Sequence, residues 1–296
     1  MMNPVLRREA ITSLRGWKNF AVVMFYIGII LFGAGLFFFS TVYNSYDYSF
    51  DPQAMTFLYV FLASIQMALV VISVPAFAAG SISGEREKQT LDLLLVTKLS
   101  PLSIVVGKML ASMAFVLLLV VSTLPVFALV FYFGSIHIGS LLLMMAFAVT
   151  TAFMLAGISV FFSCVYKRTV ISIMLVYIIT GILCIGTLIW AYMPYIVMGY
   201  GYSGSSMELE LLKIIPNPGM GFASLMGGQL GVDVVGGMFS DIMRWQEYDE
   251  VNTMTQWVID HLWLVHMTFQ VVVGGVFVLL AASKINPIGK KSNRRK

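Results

Sequence analysis

The sequence predicts an all-α polytopic membrane protein with six transmembrane helices, an N-terminal interfacial helix, a short cytoplasmic helix after the second span and an outer re-entrant segment before the last. Three observations carry this prediction. First, 59% of the 296 residues are hydrophobic and 11% are charged, whereas a soluble domain is roughly half apolar and a quarter charged. Second, with a mean hydropathy of +0.90, the apolar residues gather into runs of about 20 or more, each long enough as a helix to cross ~30 Å of hydrocarbon. Third, the basic residues cluster at alternate connections, as insertion requires of a multi-pass chain.

In chain order, residues 1–18 place Val5, Leu6, Ala10, Ile11, Leu14 and Trp17 at helical spacing among Arg7, Arg8, Arg15 and Lys18, which predicts a helix lying on the cytoplasmic leaflet. The apolar run that follows has no small-residue cleavage site at Phe38-Phe39-Ser40, so a secretory signal is not expected. The spans read as Phe20 to Phe39, Met55 to Ala79, Ile104 to Phe133, Leu141 to Val165, Val170 to Met193 and Trp257 to Ala282.

Lysine and arginine set the sidedness, because translocation disfavours them. Besides the N-terminal group, Arg86, Lys88 and Lys98 occupy the second connection and Lys167 and Arg168 the fourth. Lys284, Lys290, Lys291, Arg294, Arg295 and Lys296 form a basic cytoplasmic tail over residues 284–296, and Lys108 sits just inside the third span. That leaves two of the 18 basic residues, Lys213 and Arg244, on the opposite side. Both termini are therefore expected in the cytoplasm of a cell-membrane protein. The net charge of +4 is topological, and no nucleic-acid partner is expected. Asp47, Asp51, Glu208, Glu210, Asp233, Asp241, Glu247, Asp249, Glu250 and Asp260 make the outer connections acidic.

Residues 194–256 form the long outer loop. Met207 to Ile215 reads as a short amphipathic helix, Pro216-Asn217-Pro218-Gly219 as a turn, and Gly221 to Phe239 as a glycine-rich apolar stretch too short to span. Such a stretch dips into the outer leaflet and returns, or folds as an external cap.

Several functional classes are disfavoured. A gradient-coupled carrier needs titratable groups within its spans, whereas Lys108 and Asp260 lie near span ends and the deeper polar groups are Gln66, Gln270 and His266 with scattered hydroxyls. The glutamines read as interhelical hydrogen-bond partners, and His261 and His266 as packing residues at the outer interface. The histidines lack the spacing and glutamate of a zinc-protease site, and no glycine lies five residues before Gly107-Lys108 or Gly289-Lys290 to make a phosphate-binding loop. Cys164 and Cys184 fall inside apolar runs and read as packing residues. No metal or catalytic residue is assigned.

The informative connection runs Ser83-Gly84-Glu85-Arg86-Glu87-Lys88-Gln89-Thr90-Leu91-Asp92-Leu93-Leu94-Leu95. Ser83 is placed to cap a helix whose first turn holds Glu85 and Glu87. Continued to residue 96, that helix would set Glu85, Lys88 and Asp92 on one face and Leu91, Leu94 and Leu95 on another. Ser100 then caps, and Pro101 starts, the third span.

The run from Gly84 to Leu94, followed by Thr97, Leu99-Ser100-Pro101 and Gly107-Lys108, closely resembles the coupling-helix region of type-2 ABC transporter permeases, with the pattern E-R-E-x-G-T-L-E-x-L-L-x-T-P-x-S-P and then G-K. Gln89 stands where that family usually has glycine, Asp92 where it has glutamate, and Lys98 where proline is common. The resemblance implies that residues 84–96 are a coupling helix seated in a separate cytoplasmic ATPase, with Glu85, Arg86, Glu87, Lys88, Thr90, Leu91 and Leu94 making the contact. It further implies that the chain, residues 1–296, is a single transmembrane domain working as a dimer with a second permease copy and two ATPase copies. ATP and magnesium would bind the partner subunit, with no cofactor on this chain. Leu225-Met226-Gly227-Gly228-Gln229 looks like an ABC ATPase signature but lacks its serine and accompanies no nucleotide-binding fold, so it is read as coincidence.

The expected function is export of an amphipathic peptide or lipidic molecule, for which 22 Phe and 20 Met supply adaptable apolar surface, although the same residues serve as lipid-facing filler. The alternative is a non-transporting membrane scaffold or sensor that docks a soluble protein.

Overall fold

A computed structural model describes residues 16–44, 52–91, 100–133, 136–198, 207–231 and 253–285. The expected N-terminal interfacial helix, most of the basic tail, and the segments 92–99 and 232–252 lie outside them. The elements are α1 (Trp17–Asn44), α2 (Pro52–Ala78), α3 (Ser83–Glu87), α4 (Pro101–Ser122), α5 (Leu124–Phe133), α6 (Ile138–Val165), α7 (Thr169–Gly181), a π-helical turn (Ile182–Gly186), α8 (Thr187–Met198), α9 (Met207–Ile214), α10 (Pro218–Leu230), α11 (Thr253–Asp260) and α12 (Leu262–Ile285). Every element among the described residues is helical, and six helical stretches are long and apolar enough to cross a membrane. The fold class read from the sequence is therefore correct.

The third and sixth spans differ in detail from the expectation. The third is broken at Thr123 into α4 and α5, because Pro125 has no N–H to continue the ladder. The Thr123 hydroxyl donates to the Val120 carbonyl at 2.7 Å and to Oε1 of Gln66 at 3.2 Å. Gln66, wholly buried in α2, is thus an interhelical partner as expected. The last span starts at Leu262, and Trp257 belongs to the separate α11.

The chain divides into two compact units, residues 1–176 with 273–296, and residues 177–272. In the first, α2 packs on α6 and α4, and α1 packs on α2. Small residues make this approach close, as helix adhesion in lipid requires. Ala148, Ala152 and Ala156, four apart on α6, are all at most 2% exposed. At Gly157 the approach reaches backbone, since a Cβ there would lie 2.6 Å from the Gly274 carbonyl oxygen.

In the second unit, Ala191, Leu211, Ile214, Met220, Ile259 and Leu262 form the core. Here α9 matches the short amphipathic helix read from the sequence, and α10 starts within the expected turn at Pro218 and takes up the first part of the glycine-rich apolar stretch. Asn217 organises the turn. Its Oδ1 accepts from the N–H groups of Gly219 and Met220 at 2.8 and 3.4 Å, capping α10. Its Nδ2 donates to the Cys184 carbonyl in the π-helical turn at 2.8 Å and to the Thr187 hydroxyl at 3.0 Å. Glu210 and Lys213 form a buried ion pair on α9. His266 is fully buried, one turn in from the start of α12. His261 stacks on Trp257 with ring centroids 4.8 Å apart.

Candidate functional site

The site is the connection from Gly80 to Leu91. Its local structure departs from the continuous helix over 84–96 that the residue pattern predicts. Helix α3 ends at Glu87, Lys88 is its C-cap, and Gln89 adopts φ +58°. The Gln89 N–H bonds to the Arg86 carbonyl at 3.1 Å and the Thr90 N–H to the Glu85 carbonyl at 2.9 Å. This pair of bonds about a left-handed residue is a Schellman stop, the conformation that favours glycine at that position. The glycine usual in the resembled pattern was the signal that could have located the stop.

Ser83 is not the cap. The N-cap is Ile82, without a side-chain bond, while the Ser83 hydroxyl donates to the Ala79 carbonyl at 3.3 Å and accepts from the Ser163 hydroxyl at 3.2 Å. Ser163 Oγ in turn accepts from the N–H groups of Ile82 and Ser83, each at 2.9 Å. A single hydroxyl from α6 therefore serves two of the donors that a helix start leaves unpaired.

The charged side chains are fixed in turn. Arg86 donates to the Cys164 carbonyl at 3.1 Å, at the C-terminal end of α6. Glu87 accepts from the Thr169 N–H at 2.9 Å and the Thr169 hydroxyl at 2.8 Å, at the start of α7. A cation thus meets the negative end of one helix dipole and an anion the positive end of the next. The Thr169 bonds, backbone first, hold the Glu87 carboxyl below its usual range, with Arg168 adding to the effect. Glu85 pairs with Lys108 of α4 at 2.7 Å, rather than with Lys88 along a helix face, and its carbonyl and carboxylate both receive the Thr90 hydroxyl.

Lys88, Gln89 and Thr90 are exposed and Leu91 is buried. Leu94 and Asp92 lie outside the described residues. Of the predicted site residues, Glu85, Arg86, Glu87 and Thr90 are thus brought together by bonds within the chain, and Lys88 stands at their edge. Ser163, Thr169 and the acceptor carbonyl of Cys164 were missed; each lies about 80 positions away in sequence, and only Lys108 had been singled out. Ser100 Oγ accepts from the Ser103 N–H at 3.2 Å and Pro101 follows it in the first turn of α4, as the sequence reading requires.

Beside α3 lies a cleft of about 270 Å³ bounded by Lys108, Glu85, Lys88, Ser81, Phe77 and Phe115 among others. Among the described residues no cluster of histidine, cysteine or carboxylate side chains could hold a metal ion.

A family model described as ABC-2 family transporter protein matches residues 3–217. No curated protein matches the chain. The matched region takes in the first five spans and the whole charged connection, most of the 296 residues, so the chain belongs to the ABC-2 transporter family and is a multi-pass membrane permease of that family.

Proposed function

We propose that this chain is the translocating subunit of an ATP-driven exporter, working as a dimer with a second copy of itself and two copies of a cytoplasmic ATPase that bind ATP and magnesium. Both termini and the Gly80–Leu91 connection face the cytoplasm, on the evidence of the basic residues. The cargo is an amphipathic peptide or lipidic molecule, in keeping with the apolar, methionine-rich spans.

The single observation that carries this reading is the fastening of the charged connection. It continues directly from α2, and it is bonded through Glu85 to α4, through Arg86 to the end of α6 and through Glu87 to the start of α7. A force applied to this short segment is delivered to four spans together, which is what coupling to a closing ATPase demands. The edge that the partner grips is Lys88, Gln89 and Thr90, with Leu91 and Leu94 following in sequence. Arg86 and Glu87 act by holding that edge in place.

The test is co-purification with the ATPase, followed by hydrolysis and transport of a fluorescent amphipathic peptide in proteoliposomes. Arg86→Ala and Glu87→Ala should insert normally yet uncouple hydrolysis from transport, and Lys88→Ala should weaken ATPase stimulation. Wild-type transport and stimulated hydrolysis in all three variants would refute the assignment. An ATPase indifferent to the membrane subunit would favour a scaffold or sensor.

A further inference from the structure

The first unit also carries a buried polar contact at the break in the third span. There the regular ladder gives way. The Thr123 N–H bonds to the Val120 carbonyl at 3.3 Å, and the N–H groups of Val126 and Phe127 both go to the Thr123 carbonyl, at 3.0 and 3.2 Å. Pro125 between them has no N–H to offer, and a helix bends most readily where proline has removed a bond. Thr123 and Gln66 are both wholly buried, yet Gln66 is only half served. The one proton of the Thr123 hydroxyl is shared between the Val120 carbonyl at 2.7 Å and Oε1 of Gln66 at 3.2 Å, so the bond within α4 takes the larger part and the tie to α2 the smaller. The Nε2 of Gln66 has no hydrogen-bond partner among the described residues.

Beyond the break, α5 is held on one side. Val126, Phe127 and Val130 are buried, with Phe127 meeting the Tyr59 ring of α2 edge-on at 6.2 Å, whereas Leu129, Phe131 and Tyr132 are exposed. A buried amide that leaves donors unmade is costly, and a change of bend turns different carbonyls of the break toward α2, for which Nε2 is the donor at hand. A bend with a missing ladder bond, a weak tie and an idle donor beside it has the parts of an element with two arrangements. We propose that Thr123–Pro125 is a hinge on which α5 swings against α4, and that Gln66 is the latch that holds it in the conformation described here. Because α2 runs directly into the charged connection, displacing that connection would shift Gln66 against the break and release the latch; this last step rests on the coupling proposed above, and the hinge itself does not.

The experiment measures a distance across the break in the purified full-length chain in detergent. Spin labels are attached through Leu110→Cys on α4 and Leu129→Cys on α5, both exposed positions, in a chain carrying Cys164→Ala and Cys184→Ala and diluted with excess unlabelled chain. A straight helix would set these positions about 28 Å apart, within reach of double electron–electron resonance. Wild type should show a major distance and a minor one. Gln66→Leu should raise the minor population about two- to tenfold, as loss of one neutral hydrogen bond allows. Thr123→Val, which deletes the hydroxyl and keeps the shape, should do the same and decides if Gln66→Leu fails to fold. Pro125→Ala, which restores a backbone donor, should leave one narrow distance. One narrow distance in wild type and in the folded latch variant would overturn the hinge, and two populations unchanged by that variant would overturn the latch. No ATPase is needed for these readings, so they stand apart from the exporter assignment. With ATPase and ATP added, a shift toward the minor distance would tie release to the charged connection, and an unshifted distribution alongside stimulated hydrolysis would overturn that tie.

Discussion

Replacing Asn217 by alanine should detach the turn between α9 and α10 from the π-helical turn. Asn217 is 1% exposed, and its side chain takes part in four hydrogen bonds within the second unit. Two of them cap α10, and loss of an N-cap costs about 1 kcal/mol. The other two leave the Cys184 carbonyl and the Thr187 hydroxyl without the amide donor. Thr187 retains its own bond to the Leu183 carbonyl at 2.7 Å, so the main penalty falls on the part-buried Cys184 carbonyl, about 1–3 kcal/mol for an acceptor that loses its amide donor. The sum is about 2–4 kcal/mol. Asn217→Ser separates the halves, because serine caps as well as asparagine but does not carry the amide; it should lose about 1–3 kcal/mol. Thr187→Val, which removes an acceptor but leaves Cys184 served, should lose least. Thermal unfolding in detergent, followed by tryptophan fluorescence, reads the order wild type, Thr187→Val, Asn217→Ser, Asn217→Ala. An Asn217→Ala protein that melts with wild type would show that the turn is held by something other than these bonds.

Three further outcomes follow from the first unit. Gly157→Ala should cost about 1–3 kcal/mol by overpacking, because its Cβ would meet the Gly274 carbonyl oxygen at 2.6 Å; detergent stability equal to wild type would mean that α6 and α12 separate freely. Gln89→Gly should gain about 0.5 kcal/mol, since relief of a left-handed residue, about 1–2 kcal/mol, is partly offset by glycine's greater freedom in the unfolded chain; a loss in melting temperature would contradict the Schellman stop. Glu87, whose carboxyl is held below its ordinary value of 4.5, contributes stability that is complete above that pH and is lost as the pH falls through the lowered value. Glu87→Gln should therefore flatten the acid limb of a stability-against-pH curve, and an unchanged limb would remove the Thr169 bonds as its cause.

The spans were legible because a bilayer imposes a minimum apolar length that composition alone reveals, and the basic residues show the alternation of connections. The break in the third span was also written in the chain, as Pro125, but hydropathy passes over a proline flanked by leucine and valine. The site was half legible. Its position and charged residues could be read, whereas the stop at Gln89 could not be inferred from glutamine, which rarely adopts positive φ. Helical periodicity set Glu85 on a face with Lys88 and Asp92 but offered no hint of its partner, Lys108, which comes from the next helix. Ser163 gave no local signal, since a hydroxyl in an apolar run looks the same whether it bonds its own helix or a distant backbone, and Thr169, in a short connection after Lys167 and Arg168, gave none that pointed to Glu87. The π-helical turn at Ile182–Gly186 likewise has no proline or charge to mark it, and its stabilising amide comes from Asn217, 33 positions away from Cys184.

The bonds of the charged connection also set an order of events during synthesis. Arg86 and Glu87 find their partners 78 and 82 positions later in the chain, and at about 5–20 residues per second those partners arrive about 4–16 s afterwards. Until then Ile82 and Ser83 have no Ser163 oxygen, and neither charge has a helix end to meet. The nascent protein therefore exposes this connection until the fourth and fifth spans have been inserted in the correct orientation. An inverted pair of spans would leave the Arg86 and Glu87 contacts unmade, so the same residues that fasten the finished site distinguish a correctly threaded chain from a misthreaded one.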